Sequence, residues 1–270
     1  MNDRPPFLYR SGTTRVDERY RHGPLTFRVL ADAARRPAPA PVFVLVHGIG
    51  MSHRYLSRLH AALADKGPTF SIDMPGYAGL PKPAENVDVE TMARGLAGAI
   101  ESLDVGPVVL IGHSMGAQWT TAVATENPEL VERVVLMGPV ADSAHRSLPA
   151  QAAGLARDSL GESPGTNAIV VTDYLRCGMP WFLAQAQRMR DYPIEEEVSR
   201  LQVPTLILRG GRDPIAGADW CRLLRHRAPL GSLVEIPGHR HVVQHSASRL
   251  VASAIGAFAL DSAAENGQAP

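Results

Sequence analysis

A short apolar run that ends in a serine flanked by glycines constrains the fold of this chain more than any other stretch. Residues 108–111 are aliphatic and mostly β-branched, and turn-forming residues bound them, which is typical of a fully buried strand. Ser114 follows, with Gly112 and Gly116 two positions to either side, before a helical pattern over residues 115–126. The pattern predicts a strand–turn–helix unit that presents the hydroxyl of Ser114 at its tip.

Strand and helix signals alternate along most of the chain. This alternation predicts an α/β fold, in which a mostly parallel central sheet carries helices on both faces. In such sheets, ligands bind beyond the carboxyl ends of the strands. The predicted strands cover residues 42–46, 69–72, 108–111, 133–137, 205–208 and 232–236, and the predicted helices cover residues 52–66, 88–103, 115–126, 219–226 and 247–260.

The two ends of the chain and a segment in its middle depart from this alternation. Residues before about Gly23 are polar, so we expect an irregular lead-in and then an edge strand at residues 25–30. The small, polar tail 261–270 is expected to be disordered. Residues 140–200 lack a strongly apolar strand run and instead show the pattern of several helices. A helical segment is therefore expected between two strands of the sheet.

Charge and composition exclude several classes of function. The 270 residues include 27 basic and 27 acidic side chains, so the net charge favours neither a nucleic acid nor an anionic membrane as partner. No run approaches the ~20 apolar residues that span a bilayer, and the first residues lack the apolar part of a signal peptide. Cys177 and Cys221 fall in different predicted elements, which favours free thiols in a cytoplasmic protein. We expect a small-molecule substrate, no cofactor and no metal, in a monomer or a homodimer.

A serine hydroxyl becomes a good nucleophile only when a base removes its proton and a third group orients that base. The partners should stand on turns after later strands, in the order serine, acid, histidine. Asp213, in Gly-Gly-Arg-Asp-Pro, fits the place of the acid, with Asp142 as its rival. His241, in Pro-Gly-His-Arg-His, fits the place of the base, with His239 as its main competitor.

The chain resembles the α/β-hydrolase fold family through several short motifs that stand in the family's order. These motifs resemble those of a serine-nucleophile member whose helical cap lies over the site. The motifs are Val-His-Gly-Ile-Gly (46–50), Asp-Met-Pro-Gly-Tyr (73–77), Gly-His-Ser-Met-Gly (112–116), Gly-Arg-Asp-Pro (211–214) and Pro-Gly-His-Arg-His (237–241).

The resemblance implies a catalytic triad of Ser114, His241 and Asp213, because the family places its base three residues after the glycine of Pro-Gly. It also implies an oxyanion hole formed by the backbone N–H groups of Ile49 and Met115. In domain terms it implies a core of residues 1–139 and 201–270 and an inserted helical cap of residues 140–200.

Other polar side chains near these motifs are expected to have structural or surface roles. His47 should fix the loop that follows it through hydrogen bonds rather than titrate. His245 is expected on a helix surface, and Arg54, Arg58 and His60 on a solvated helix face.

Apolar side chains in the predicted cap suggest a substrate with an apolar acyl or ring portion. Trp181 and Phe182, next to Met179, are the best candidates there for a pocket wall. Trp119, about one helical turn past Ser114, is a candidate on the core side. Packing within the core or the cap is the alternative for each of them.

The resemblance leaves more than one reaction open. The first hypothesis is hydrolysis of a carboxylic ester, lactone or thioester through an acyl-Ser114 intermediate. The second is hydrolytic C–C cleavage of a ring-fission diketone, but such relatives usually carry Ser-Gly-Pro-Gly in the oxyanion loop and a tryptophan after the base. This chain instead has Gly-Ile-Gly-Met at residues 48–51 and Val242 after the base, and both differences argue against the second hypothesis. A third hypothesis is a non-catalytic ligand-binding protein on the same fold.

Overall fold

Eight strands form one sheet in the computed structural model, which describes residues 16–32, 40–144 and 146–261. Their order across the sheet is β1-β2-β4-β3-β5-β6-β7-β8. The pairs from β4 to β8 are parallel, whereas β2 is antiparallel to both of its neighbours, which confirms the predicted mostly parallel sheet. The strands are β1 Val16–His22, β2 Leu25–Asp32, β3 Phe43–Val46, β4 Thr69–Asp73, β5 Val108–His113, β6 Val131–Met137, β7 Thr205–Gly210 and β8 Gly231–Ile236.

Helices connect the parallel strands and cover both faces of the sheet. α1 packs against α10 on one face, and α2 packs against α3 on the other. The hydroxyl of Ser52 and the carboxylate of Asp88 cap α1 and α2, as is common at helix N-termini. The helices are α1 His53–Ala64, α2 Val89–Glu101, α3 Gly116–Glu126, α4 Leu148–Ser159, α5 Pro164–Cys177, α6 Met179–Asp191, α7 Ile194–Glu197, α8 Ala218–Arg227, α9 Val243–Ser246 and α10 Ser248–Ala259.

Side chains of the central strands alternate between two apolar layers. In β3, Val44 and Val46 join the layer beneath α2 and α3, while Phe43 and Leu45 join the layer beneath α1 and α10. All four are fully buried, and burying a side chain of this size contributes roughly 1.5–3 kcal/mol. Because both faces are covered, these strands read in the sequence as continuous apolar runs.

Strand β1 corrects the expectation of an irregular lead-in. It pairs with β2 along its whole length, and Gly23, with a φ of 55°, makes the turn between them. β1 is polar and lies at the edge of the sheet, so the ring of Tyr20 against Phe27, with 6.3 Å between centroids, is its main apolar contact. Backbone pairing rather than a hydrophobic pattern therefore forms this strand.

The chain leaves the sheet after β6 and returns at β7. Helices α4 to α7 lie in between, where a helical segment was predicted at residues 140–200. Gln118 donates from its Nε2 to the carbonyl of Met189 (2.8 Å), and Gln185 donates to the carbonyl of Val87 (3.0 Å). Gln118 and Val87 lie at the starts of α3 and α2, so these bonds hold the segment at the carboxyl end of the parallel strands.

Two further expectations concern membrane spans and cysteines. In the part of the chain that the structure describes, no helix has both the length and the apolar character needed to cross a bilayer. Cys177 and Cys221 are free and buried, and burial raises the pKa of the two thiols to about 11 and about 12. Neither thiol is therefore ionised at neutral pH. The tail beyond Asp261 lies outside the described residues.

Candidate active site

Ser114 lies on the turn between β5 and α3, with its backbone in the left-handed region. Its φ of 57° is uncommon for a residue with a side chain and costs on the order of 1–3 kcal/mol. The N–H of Ser114 donates to the carbonyl of Met137 in β6 (2.9 Å), which holds the turn in place. Ser114 is 7% exposed and lines a cavity, as the predicted strand–turn–helix unit requires.

Close backbone approach explains the glycines around Ser114. A Cβ on Gly116 would lie 2.6 Å from the carbonyl oxygen of His47, and a Cβ on Gly112 would overlap the carbonyl of Gly116. A Cβ on Gly48 would lie 2.8 Å from the Cβ of Ser114. A side chain at Gly48 or Gly116 would push the end of β3 and its loop away from the serine turn, and one at Gly112 would displace the start of α3.

His241 and Asp213 form a buried hydrogen bond beside this turn. The Nδ1 of His241 lies 2.9 Å from the Oδ2 of Asp213, and a carboxylate can only accept, so Nδ1 carries the proton. The Oδ1 of Asp213 accepts from the N–H groups of Ile215 (2.8 Å) and Ala216 (3.0 Å). In the neutral ring, Nε2 of His241 therefore keeps its lone pair, and His241 lines the same cavity as Ser114.

The charges of this pair stabilise each other. Burial alone would raise the pKa of Asp213, but the imidazole of His241 and the backbone donors outweigh it and hold that pKa below its usual value. Burial alone would lower the pKa of His241, but Asp213, followed by Asp158 and Glu162, outweighs it and raises that pKa above 6.5. The site thus favours an imidazolium once the ring has taken up a proton.

The rival acid and base lie in other surroundings. Asp142 accepts through its Oδ1 from the N–H of Ala144 (2.9 Å) in the loop after β6. The Nδ1 of His239 lies 3.0 Å from the hydroxyl of Ser246. His239 does not line the cavity that contains Ser114, whereas His241 lines it and is hydrogen-bonded to Asp213, so the geometry favours Asp213 and His241.

Two histidines expected on helix surfaces are buried instead. His245 is 6% exposed, because α9 folds back towards α1, where Arg58 donates to the carbonyl of His245 (3.4 Å). His60 is 1% exposed, and its Nδ1 lies 2.7 Å from the hydroxyl of Ser71 in β4. Tertiary packing supplies partners that helical periodicity alone does not reveal.

The loop after β3 is fixed by His47. Its Nε2 accepts from the N–H of Met74 (3.0 Å), so its Nδ1 carries the proton and donates to the carbonyl of Gly48 (2.8 Å). Burial lowers the pKa of His47, which keeps the ring neutral. Ile49 then lines the cavity, and Met115 stands at the start of α3, where backbone N–H groups lack partners within the helix. These positions suit the predicted oxyanion hole.

A chain of hydrogen bonds joins this loop to the loop that carries His241. The N–H of Gly48 donates to the hydroxyl of Tyr55 (2.7 Å), which lies 2.7 Å from the Nδ1 of His113. The Nε2 of His113 lies 2.9 Å from the carbonyl of His241 and must donate to it, so Nδ1 accepts from Tyr55. Burial and the neighbouring His241 lower the pKa of His113 to about 3, so this proton arrangement holds at neutral pH.

Sequence reasoning missed both Tyr55 and a second residue, Asp158. Tyr55 shares the buried face of α1 with leucines and reads there as an ordinary core position. Asp158, in α4, is 4% exposed, lines the cavity and accepts through its Oδ1 from the N–H of His241 (3.0 Å). In the sequence, Asp158 is simply an acidic residue within a segment predicted to be helical, and this feature is too common to indicate a functional role.

A cavity of about 70 Å³ lies beside Ser114. Its apolar lining comes from both the core and the helical segment. Its polar lining, apart from the residues around Ser114, comes mostly from α4 and the start of α5. The apolar residues are Ile49, Met51, Val140, Leu155, Val170, Met189, Ile215 and Val242, and the polar ones from the helical segment are Gln151, Asp158, Ser159, Glu162, Asn167 and Tyr174.

The four residues predicted for the pocket wall lie elsewhere. Trp119 is fully buried beneath the site, where its ring packs edge-on against His47. Trp181 packs against Gly76, Phe182 packs on the cavity-lining Tyr174, and Met179 is 65% exposed on the outside. The three residues of α6, Met179, Trp181 and Phe182, thus contact solvent, the core and α5, whereas α4 and α5 supply most of the lining that comes from the helical segment.

Comparisons with known proteins agree with this geometry. The model of the alpha/beta hydrolase family matches residues 43–254. The chain is 27% identical over 233 residues to "(E)-2-((N-methylformamido)methylene)succinate hydrolase" of Acinetobacter baylyi, covering 80% of this chain and 89% of that protein.

Solved structures share the fold at lower identity. The enol-lactonase of Burkholderia xenovorans superposes with a TM-score of 0.77 at 18% identity, over 90% of this chain and 100% of that one. An E-2-(acetamidomethylene)succinate hydrolase superposes with a TM-score of 0.73 at 22% identity, over 91% of this chain and 99% of that one. The strand order, the serine on its strained turn and the match over most of the length lead to one conclusion: this chain belongs to the alpha/beta hydrolase family, and it is a hydrolase.

Proposed function

We propose that this hydrolase cleaves a carboxylic ester, lactone or thioester with an apolar portion, through an acyl-Ser114 intermediate. The observation that carries the proposal is the 2.9 Å bond between Nδ1 of His241 and Asp213, with Ser114 on the same cavity. That bond leaves Nε2 of His241 as the free basic atom of the ring.

In the proposed mechanism, each step uses Ser114, His241 and the two N–H groups of the predicted oxyanion hole. Nε2 of His241 takes the proton of Ser114 as Oγ bonds to the carbonyl carbon, and the N–H groups of Ile49 and Met115 stabilise the resulting oxyanion. The imidazolium then gives its proton to the leaving oxygen or sulfur, and the acyl-serine forms. Water, deprotonated by His241, releases the acid and restores Ser114.

The lining of the cavity supports a substrate with an apolar portion. Aliphatic side chains such as Leu155, Val170 and Ile215 form much of its surface. The relative from Acinetobacter is named for a substituted succinate, which carries two carboxylates. Among the described residues that line the cavity here there is no lysine or arginine, so we do not extend that substrate to this chain.

Turnover of p-nitrophenyl acetate by the wild type and by Ser114→Ala tests the proposal. Residual catalysis without the nucleophile should lie roughly 10³-fold or more below the wild type. Ser143→Ala, on the loop after β6, is the matched control and should keep full activity. A fluorophosphonate probe should label the wild type and leave Ser114→Ala unlabelled.

The alternatives give different results in the same experiments. Turnover of a ring-fission diketone without turnover of esters would favour C–C hydrolysis. A protein that neither hydrolyses esters nor reacts with the probe would be a binding protein on this fold, and the proposal would be wrong.

A further inference from the structure

Two carboxyl groups from the helical segment form one wall of the cavity. Asp158 lies in the last turn of α4 and Glu162 follows four residues later, before α5 begins. Both line the cavity, Asp158 at 4% exposure and Glu162 half-buried. The reaction proposed above uses neither carboxyl group.

The two carboxyl groups are held in place by the loop that carries His241. The Oδ1 of Asp158 accepts from the backbone N–H of His241 (3.0 Å), and Glu162 interacts with the backbone of Val242. Burial raises the pKa of both Asp158 and Glu162; the carboxylate of Asp158 raises the pKa of Glu162 further, and Asp213 does the same for Asp158. A further negative charge nearby would therefore destabilise the ionised form of each carboxyl group even more.

The surrounding cations offset this charge only in part. Arg240 packs against Gly161 and donates from its guanidinium to the carbonyl of Arg157 (3.3 Å), outside the cavity lining. The imidazole of His241 is already paired with Asp213. Among the described residues that line the cavity, Asp158 and Glu162 are thus the acidic side chains, and no lysine or arginine accompanies them; the other lining side chains, apart from the two histidines, are apolar or neutral and polar.

We propose that Asp158 and Glu162 make this cavity select uncharged or ammonium-bearing substrates and reject those that carry a carboxylate. This inference rests on the proposed function, because it specifies the substrate class of the same site. A substrate carboxylate in the cavity would lose its hydration and meet two acidic groups, with no lysine or arginine among the described residues of the lining, whereas an uncharged chain would meet no such repulsion.

A matched pair of esters tests the selection. p-Nitrophenyl pentanoate and mono-p-nitrophenyl succinate share the leaving group and have acyl chains of similar length, but only the second carries a carboxylate. We expect kcat/KM to favour the pentanoate by about tenfold or more, as one like-charge contact at a partly buried site would produce.

The variant Glu162→Gln removes one charge while it keeps the shape of the side chain. It should reduce the preference for the pentanoate severalfold. The control Glu101→Gln removes an exposed carboxylate at the C-terminal end of α2, which precedes the amino end of β5 and is not part of the cavity lining, and should leave the ratio unchanged. An equal kcat/KM for the two esters in the wild type, or an unchanged ratio in Glu162→Gln, would overturn the inference.

A binding experiment separates this inference from the proposed function. n-Pentylammonium, pentanamide and pentanoate, titrated into the wild type and Glu162→Gln by NMR, report on charge selection without any reaction. Pentanoate should bind about tenfold more weakly than pentanamide, and n-pentylammonium at least as tightly. If the ligands bind in this order of affinity but the protein does not hydrolyse esters, the proposed function is wrong and the charge selection stands. If the protein hydrolyses esters but pentanoate binds more tightly than pentanamide, the charge selection is wrong and the proposed function stands.

Discussion

The two walls of the cavity are built differently. On the core wall, Ser114, Asp213 and His241 stand on short turns at strand ends, and almost every residue of the adjoining α3 is buried. On the opposite wall, α4 buries only Gln151 and Asp158. The core wall is therefore fixed by dense packing and backbone hydrogen bonds, while the other wall depends on few contacts.

Exposed apolar side chains show the same contrast. Leu160 is 90% exposed and Leu175 is 78% exposed on the helical segment, whereas strands β3 to β7 are almost fully buried. Regions with few buried contacts change conformation at a low cost in free energy. We infer that the core wall determines the chemistry and that the helical wall determines which substrates reach it.

The largest test of this contrast is Asp213→Asn on the core wall. An amide no longer selects the ring form of His241 that has its proton on Nδ1, so kcat for p-nitrophenyl acetate should fall by about 10⁴-fold with the fold retained. Asp219→Asn, an exposed carboxylate at the start of α8, is the control and should keep wild-type kcat. A loss of less than tenfold in Asp213→Asn would show that the acid lies elsewhere.

Tyr55→Phe tests whether the hydrogen-bond chain matters to the core wall. The change leaves the N–H of Gly48 and the Nδ1 of His113 without their partner, which should lower the free energy of unfolding by about 1–3 kcal/mol. It should also reduce kcat more than it changes KM, because it loosens the predicted oxyanion loop. Denaturant unfolding and steady-state kinetics measure both, with Tyr20→Phe on β1 as the control; equal effects of the two variants would contradict the role of the chain.

The smallest effect is expected from the helical wall, in Asp158→Asn. His241 must be neutral to act as a base, so kcat/KM should fall as the pH drops through the raised pKa of His241, above 6.5. Removing the charge of Asp158 lowers that pKa, so the acidic limb of the profile should move to lower pH. Asp191→Asn, an exposed residue at the end of α6, should leave the limb in place; a limb that does not move in Asp158→Asn would contradict this coupling.

The sequence alone was sufficient to predict the central sheet, most of its helices and the turn that carries Ser114. Strands buried on both faces leave continuous apolar runs, and the glycines around Ser114 are the visible result of close backbone approach. These features are local in the chain, so their signals lie within a few residues of each other.

Only the tertiary structure decided what touches the cavity. It placed Trp119, Met179, Trp181 and Phe182 away from the lining, and it brought Asp158 to the backbone of His241 across 83 positions of the chain. Composition and periodicity say which side chains are apolar or acidic, but the neighbours of a residue depend on how separate elements pack. Contacts between distant residues are therefore determined by the packing of the whole fold, which no short stretch of the sequence describes.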